Sequence, residues 1–163
     1  MIMKKRFLIL GIIFCSAWAI SCEEDDVCVG EGTPFMTVVF RNFQNNANLT
    51  DSLTIIASKT PEFSEPDTVY YKELTDSVKL PLGGLDDDIS YFKIRRRNSS
   101  LDDVLTVKYD TKSSYVSKAC GFRVTYENLS YSTTNNTIEY LQPAESNIIE
   151  NESITNLYIV FSN

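Results

Sequence analysis

From residue 35 onward this chain is written in twos. Phe35–Phe43 alternates Met36, Val38 and Phe40 with Thr37, Val39 and Arg41. Ser52–Ser58 puts Leu53, Ile55 and Ala57 on one face, and Ile89–Arg97 points Phe92 and Ile94 one way and Lys93 and Arg95 the other. Val104–Tyr109, Gly121–Glu127 and Asn156–Ser162 repeat the pattern, and Thr68–Lys72, Ser77–Leu82, Tyr115–Ala119 and Thr137–Leu141 are shorter runs of the same kind. Period two is the repeat of a strand with one face buried, and β-branched and aromatic residues favour it. Turn clusters separate the runs: Asn45-Asn46, Gly83-Gly84, Asp86-Asp87-Asp88, Asn98-Ser99-Ser100 and Asn135-Asn136. Pro81 lacks an N–H and marks Ser77–Leu82 as an edge strand. No stretch keeps helical spacing for three turns, although Pro143–Glu152 has room for about one. The expectation is all-β: eight or nine short antiparallel strands in a two-sheet, immunoglobulin-like sandwich. A small closed barrel is the alternative.

The first residues have a different grammar. Lys4, Lys5 and Arg6 precede an apolar run, Phe7 to Ile20, which ends in Ala19-Ile20-Ser21-Cys22 and then Glu23-Glu24-Asp25-Asp26. The apolar run is about 14 residues, short of the roughly 20 that a helix needs to span a bilayer. This is the layout of a bacterial lipoprotein signal, in which Cys22 is diacylated and becomes the mature N-terminus. The expected organisation is a signal peptide over 1–21, an acidic tether over 22–33 and a β-sandwich domain over 34–163.

Removing residues 1–21 takes away Lys4, Lys5 and Arg6 and no acid, which moves the net charge from −7 to −10. Such a surface repels phosphate backbones, so nucleic acid is not an expected partner. It also repels anionic lipid, which leaves the acyl chains to hold the membrane. Of the four cysteines, Cys15 leaves with the signal and Cys22 takes lipid. Cys28 and Cys120 remain, an even pair in an oxidising compartment, and a disulfide between them is expected.

There is no histidine. That removes the usual general base and the commonest zinc ligand. No phosphate-cradling glycine loop occurs either. Paired carboxylates remain chemically possible, but nothing selects one pair, so neither enzyme activity, cofactor nor metal site is expected. Asp86-Asp87-Asp88 and Asp102-Asp103 read as solvated turns rather than calcium ligands. Arg95-Arg96-Arg97 reads as a strand end that is solvated and guarded against edge pairing. Tyr70, Tyr71, Tyr91, Tyr131 and Tyr140 would serve as a sugar platform if they shared one face; half-buried strand tyrosines are the plainer reading.

Three tripeptides share the form Asp, hydroxyl, aliphatic: Asp51-Ser52-Leu53, Asp67-Thr68-Val69 and Asp76-Ser77-Val78. They resemble the O-glycosylation sequon of exported Bacteroidota proteins, which makes Ser52, Thr68 and Ser77 candidate acceptors. The same residues are ordinary strand-opening chemistry.

Cys22 with acids directly after it resembles the surface-export signal of Bacteroidota lipoproteins. Cys28 followed by Thr33-Pro34-Phe35-Met36, then Cys120-Gly121-Phe122 and Tyr126-Glu127-Asn128-Leu129, resembles an uncharacterised family of small flavobacterial and related lipoproteins. The resemblance implies an outer-membrane lipoprotein with no assigned chemistry, and it agrees with a Cys28–Cys120 bridge. The leading expectation is a lipid-anchored, surface-facing sandwich with a binding or structural role beside an envelope protein. A glycan-binding accessory of a polysaccharide uptake system is the first rival, and a carboxylate hydrolase the second.

Overall fold

The computed structural model describes Cys28 and residues 32–162. Cys22, the acidic run Glu23–Asp26 and the signal segment lie outside the described residues. The described chain forms ten strands and no helix: β1 (Met36–Asn42), β2 (Asp51–Ser58), β3 (Asp67–Thr75), β4 (Ser77–Leu80), β5 (Ile89–Arg96), β6 (Asp102–Ser117), β7 (Gly121–Thr133), β8 (Ile138–Pro143), β9 (Ile148–Ile149) and β10 (Leu157–Phe161). They make two sheets, a four-stranded one in the order β4-β1-β10-β8 and a six-stranded one in the order β3-β2-β5-β6-β7-β9.

The alternating residues do what their period requires. Met36, Val38 and Phe40 from the small sheet face Leu53, Ile55, Phe92, Ile94, Leu105 and Val107 from the large one, all at or near full burial. Each such side chain contributes about 1.5–3 kcal/mol by leaving water. This shared interior is the sandwich core. β10 is the exception to alternation: Leu157, Ile159, Val160 and Phe161 are all buried. It lies inside its sheet between β1 and β8, and it pairs with β1 in parallel, the one parallel ladder in a set of otherwise antiparallel ladders.

Two expectations are corrected. The run Val104–Tyr109 and the first three residues of Tyr115–Ala119 belong to one 16-residue strand, β6, with Lys118 and Ala119 in the turn that follows. Its middle, Asp110 to Ser114, is polar because the hairpin with the 13-residue β7 runs past the end of the core. Alternation reports burial, and a strand wet on both faces shows none. The room for a helical turn at Pro143–Glu152 holds instead the two-residue strand β9, which pairs with β7 and buries Ile149 completely.

Pro81 directly follows β4, an edge strand as expected. β3 is the edge of the other sheet, and a single residue, Asp76, joins the two. The chain therefore turns a corner from sheet to sheet at Asp76, whose carbonyl accepts from Phe40 N at 2.8 Å. From that corner β3 and β4 form the two lips of a seam along one side of the sandwich.

Candidate functional site

The seam is closed near its middle by Tyr70. Its hydroxyl accepts from Lys79 N at 2.9 Å and donates to Lys79 O at 3.2 Å. These are the outward backbone groups of an edge strand, the groups a foreign strand would pair with, so Tyr70 guards the edge. On the side of the corner away from Asp76 the lips part. There the seam widens into a hollow between Asp67 and Pro81, and beyond it into a cleft of about 470 Å³. Ala57, Pro81 and Leu82 line the cleft, Phe92 closes its floor, and Lys59, Glu65 and Asp67 stand at its rim. A second concavity of about 410 Å³ surrounds the Lys79–Glu152 ion pair and shares those two residues with the hollow.

Hydrogen bonds hold the cleft's inner wall. Gly83 N donates to the Tyr109 hydroxyl at 2.8 Å, Gly83 O accepts from the Tyr126 hydroxyl at 2.9 Å, and the Ser90 and Tyr109 hydroxyls are 2.8 Å apart. The Tyr109 and Tyr126 rings meet edge to face at 5.1 Å. Burial raises the Tyr109 phenol above its ordinary range. Burial, with the charges of Tyr109 and Asp87, pushes Tyr126 up to about 12. Both therefore stay neutral hydrogen-bonding groups at physiological pH.

Outside this wall Asp87 closes the loop after β4. One oxygen, Oδ2, accepts from Gly84 N at 2.8 Å and from Lys59 Nζ at 2.8 Å. The Lys59 hydrogen bond holds the Asp87 carboxyl below its usual range against desolvation, the next-largest effect, with Gly84 N adding to the lowering, and Lys59 is raised in turn. Gly83 is required here, since a Cβ on it would lie 2.4 Å from the Asp87 Cβ. The Gly83-Gly84 turn with Asp87 thus shapes the loop and supplies no cation site. Among the described residues no group of acids or cysteines is placed to hold a metal ion.

The remaining candidate residues separate into distinct roles. Cys28 and Cys120 stand at disulfide distance with their Cα atoms 4.8 Å apart, inside the range that a bridge allows. Cys120 is in the turn of the β6–β7 hairpin, which ends at Gly121 with φ of 70°, a left-handed conformation natural to glycine. Thr68 and Ser77 are exposed. Ser52 is buried, and its hydroxyl donates to Lys72 O across the β2–β3 ladder, so a glycan there would require that ladder to part.

Asp102-Asp103 is not a solvated turn. Asp102 forms a two-pronged pair with Arg95 at 2.6 and 2.7 Å. Asp103 is fully buried and anchors the loop that carries the chain from β7 to β8. Nothing in the sequence marked it as buried except its place in the inward period of β6. Arg96 is half-buried; it pairs with Asp51 at 2.7 Å, donates to Ser162 O at 3.0 Å and lies over the Phe161 ring. The arginine run therefore ties a strand end in as well as solvating it. The five tyrosines do not share a face. Tyr70 seals the seam, Tyr71 is exposed on β3, Tyr91 and Tyr131 stand on opposite faces of the large sheet, and Tyr140 pairs with Phe43 on the small sheet. Burial pushes the Tyr131 phenol up to about 12. The cleft residues Lys59, Gly83, Tyr109 and Tyr126 are ones sequence reasoning passed over. They come from the loops after β2 and β4 and from the middles of β6 and β7, and only the Gly83-Gly84-to-Asp87 spacing hinted at their meeting.

No curated protein and no solved structure matches the chain. One family profile does, over residues 52–161. That span runs from β2 to β10 and omits β1 and Cys28, although β1 is the strand that joins β4 to β10. The chain belongs to a family of unknown function, DUF6452.

Proposed function

We propose that this chain is a lipid-anchored outer-membrane lipoprotein of the Bacteroidota type, facing outward, and that its sandwich acts by binding a partner at the seam cleft rather than by catalysis. The cleft carries the binding reading. It is concave, with Ala57, Pro81, Leu82 and Phe92 as its apolar surface, its inner wall held by the Gly83–Tyr109–Tyr126 bonds, and polar side chains between Ser58 and Asp67 around it, the mixture of a recognition site. The Cys28–Cys120 pair supports export, since such bridges persist in oxidising compartments. A hydrolase would want two carboxylates converging in the depth of a pocket. Glu65 and Asp67 stand exposed on the rim. A glycan platform would want its tyrosines on one face, and here they are spread over both sheets. The test is a photo-crosslinking residue placed in growing cells at Ser64 or Glu65 on the rim, with Glu139 on β8 as control. Discrete adducts from the rim and none from Glu139 support the reading. Rim positions as silent as Glu139 refute it.

A further inference from the structure

We infer that the tip of the β6–β7 hairpin lies on the lipid surface, with Tyr115 and Phe122 seated in the membrane interface. The inference deepens the lipid-anchor reading above and rests on it. Tyr115 and Phe122 are directly opposite one another in the ladder and meet edge to face at 5.4 Å. They continue the strand face that buries Tyr126, but the hairpin has by then passed the core. They are accordingly 60% and 72% exposed, unusual for a neighbouring aromatic pair in a water-facing domain.

Charge points the same way. The chain carries −7 overall, yet residues 111–126 contain Lys112, Lys118 and Arg123 and no acid at all. Whole-chain composition, which argues against contact with anionic lipid, conceals a cationic tip. Aromatics flanked by Lys and Arg are what an interface of headgroups and acyl chains accepts.

Covalent connection supplies the third observation. Cys28 lies six positions after Cys22 and is bonded to Cys120, two positions from both Lys118 and Phe122. A chain of that length spans at most about 20 Å. Lipid on Cys22 therefore holds the bilayer within about 20 Å of Cys28 and, across the 4.8 Å bridge and the two residues to Phe122, within about 30 Å of the aromatic pair, and contact with the surface becomes an intramolecular step. The approach is also directed. Val124 N donates to Thr33 Oγ1 at 3.1 Å, which places Thr33 against β7. Thr111 Oγ1 donates to Leu85 O at 2.7 Å, so the cleft's loop lies at the hairpin's base, and a partner at the cleft would be met close to the membrane.

The test uses the mature lipidated protein in phosphatidylethanolamine–phosphatidylglycerol vesicles with brominated acyl chains. Trp18 is the chain's single tryptophan and precedes Cys22, so a Phe122→Trp substitution creates the mature protein's sole indole. Position 122 is exposed, and the change leaves the core alone. Its fluorescence is expected to fall about twofold or more against unbrominated vesicles, as for an interfacial indole. A Tyr71→Trp control on the opposite edge strand β3 is expected to stay bright. If intact mass shows no acyl group, the anchor reading falls and this inference with it. If the protein is acylated and floats with vesicles but Phe122→Trp is unquenched, the inference alone is overturned. Dimers crosslinked through Lys118 under those conditions would then assign the patch to a second copy of the chain.

Discussion

Asp103 gives a perturbation whose size follows from the structure. Its carboxylate is fully buried and accepts five hydrogen bonds. Oδ1 takes Thr134 Oγ1 at 3.0 Å and Asn136 N at 2.6 Å. Oδ2 takes Thr137 N at 2.7 Å, Thr137 Oγ1 at 2.6 Å and Ile138 N at 3.1 Å. Burial alone would raise this acid, but the Thr137 hydroxyl and the backbone donors outweigh it, and its pKa is lowered. Asp103→Asn keeps the shape and turns one acceptor into a donor facing at least two donors. Each stranded buried donor costs about 1–3 kcal/mol, and partial movement of the loop gives back some of that. The expected loss is about 3–5 kcal/mol, a fall in Tm of about 10–20 °C for a domain of this size. Thermal and urea melts of the oxidised protein measure it. The sign of the pH effect is fixed as well. With the folded pKa below the ordinary value near 3.9, the wild-type contribution is complete above about pH 5 and is lost as pH falls through the folded pKa. The variant lacks that part of the acid limb. An Asp103→Asn protein within about 1 kcal/mol of wild type at pH 7 would refute the role of this carboxylate as the anchor of the β7–β8 crossing.

Opening the Cys28–Cys120 bridge, which spans 92 positions, is expected to destabilise the unreduced protein by about 4–5 kcal/mol in the chain-entropy picture, read as a loss of urea midpoint in a Cys28→Ser, Cys120→Ser double variant. Gly83→Ala forces a Cβ into Asp87; a loss of about 1–3 kcal/mol is expected, with release of Lys59 visible as a shift of its side-chain resonance. Replacing Glu23, Glu24, Asp25 and Asp26 with Gln should leave Tm unchanged and move the protein away from the cell surface, as read by protease shaving of intact cells. Shaving at the wild-type rate contradicts their role as an export address, and a melt several degrees lower contradicts their role as a tether.

Much of the fold was legible because most strands bury one face. Met36, Val38 and Phe40, or Phe92 and Ile94, report that face directly. Legibility failed where burial and alternation part company. The middle of β6 is wet on both faces, Ile148–Ile149 is too short to carry a period, and the parallel pairing of β1 with β10 leaves no local trace. The disulfide followed from counting cysteines and from the compartment implied by Cys22. The cleft did not, because Lys59, Gly83, Tyr109 and Tyr126 converge through sheet order, and order is set by long-range pairing. Asp103 was misread for a related reason: an acid beside another acid looks like a turn until the five donors that surround it are in place.

The central proposal is attachment of this sandwich to a membrane at Cys22, close to the bridged hairpin. Intact-mass analysis and non-reducing peptide mapping of protein extracted from native membranes test it together. The expected result is loss of residues 1–21, acyl mass on Cys22, and one peptide joining Cys28 to Cys120. A mature N-terminus elsewhere with no acyl mass, or free thiols at both Cys28 and Cys120 in freshly isolated protein, would contradict it.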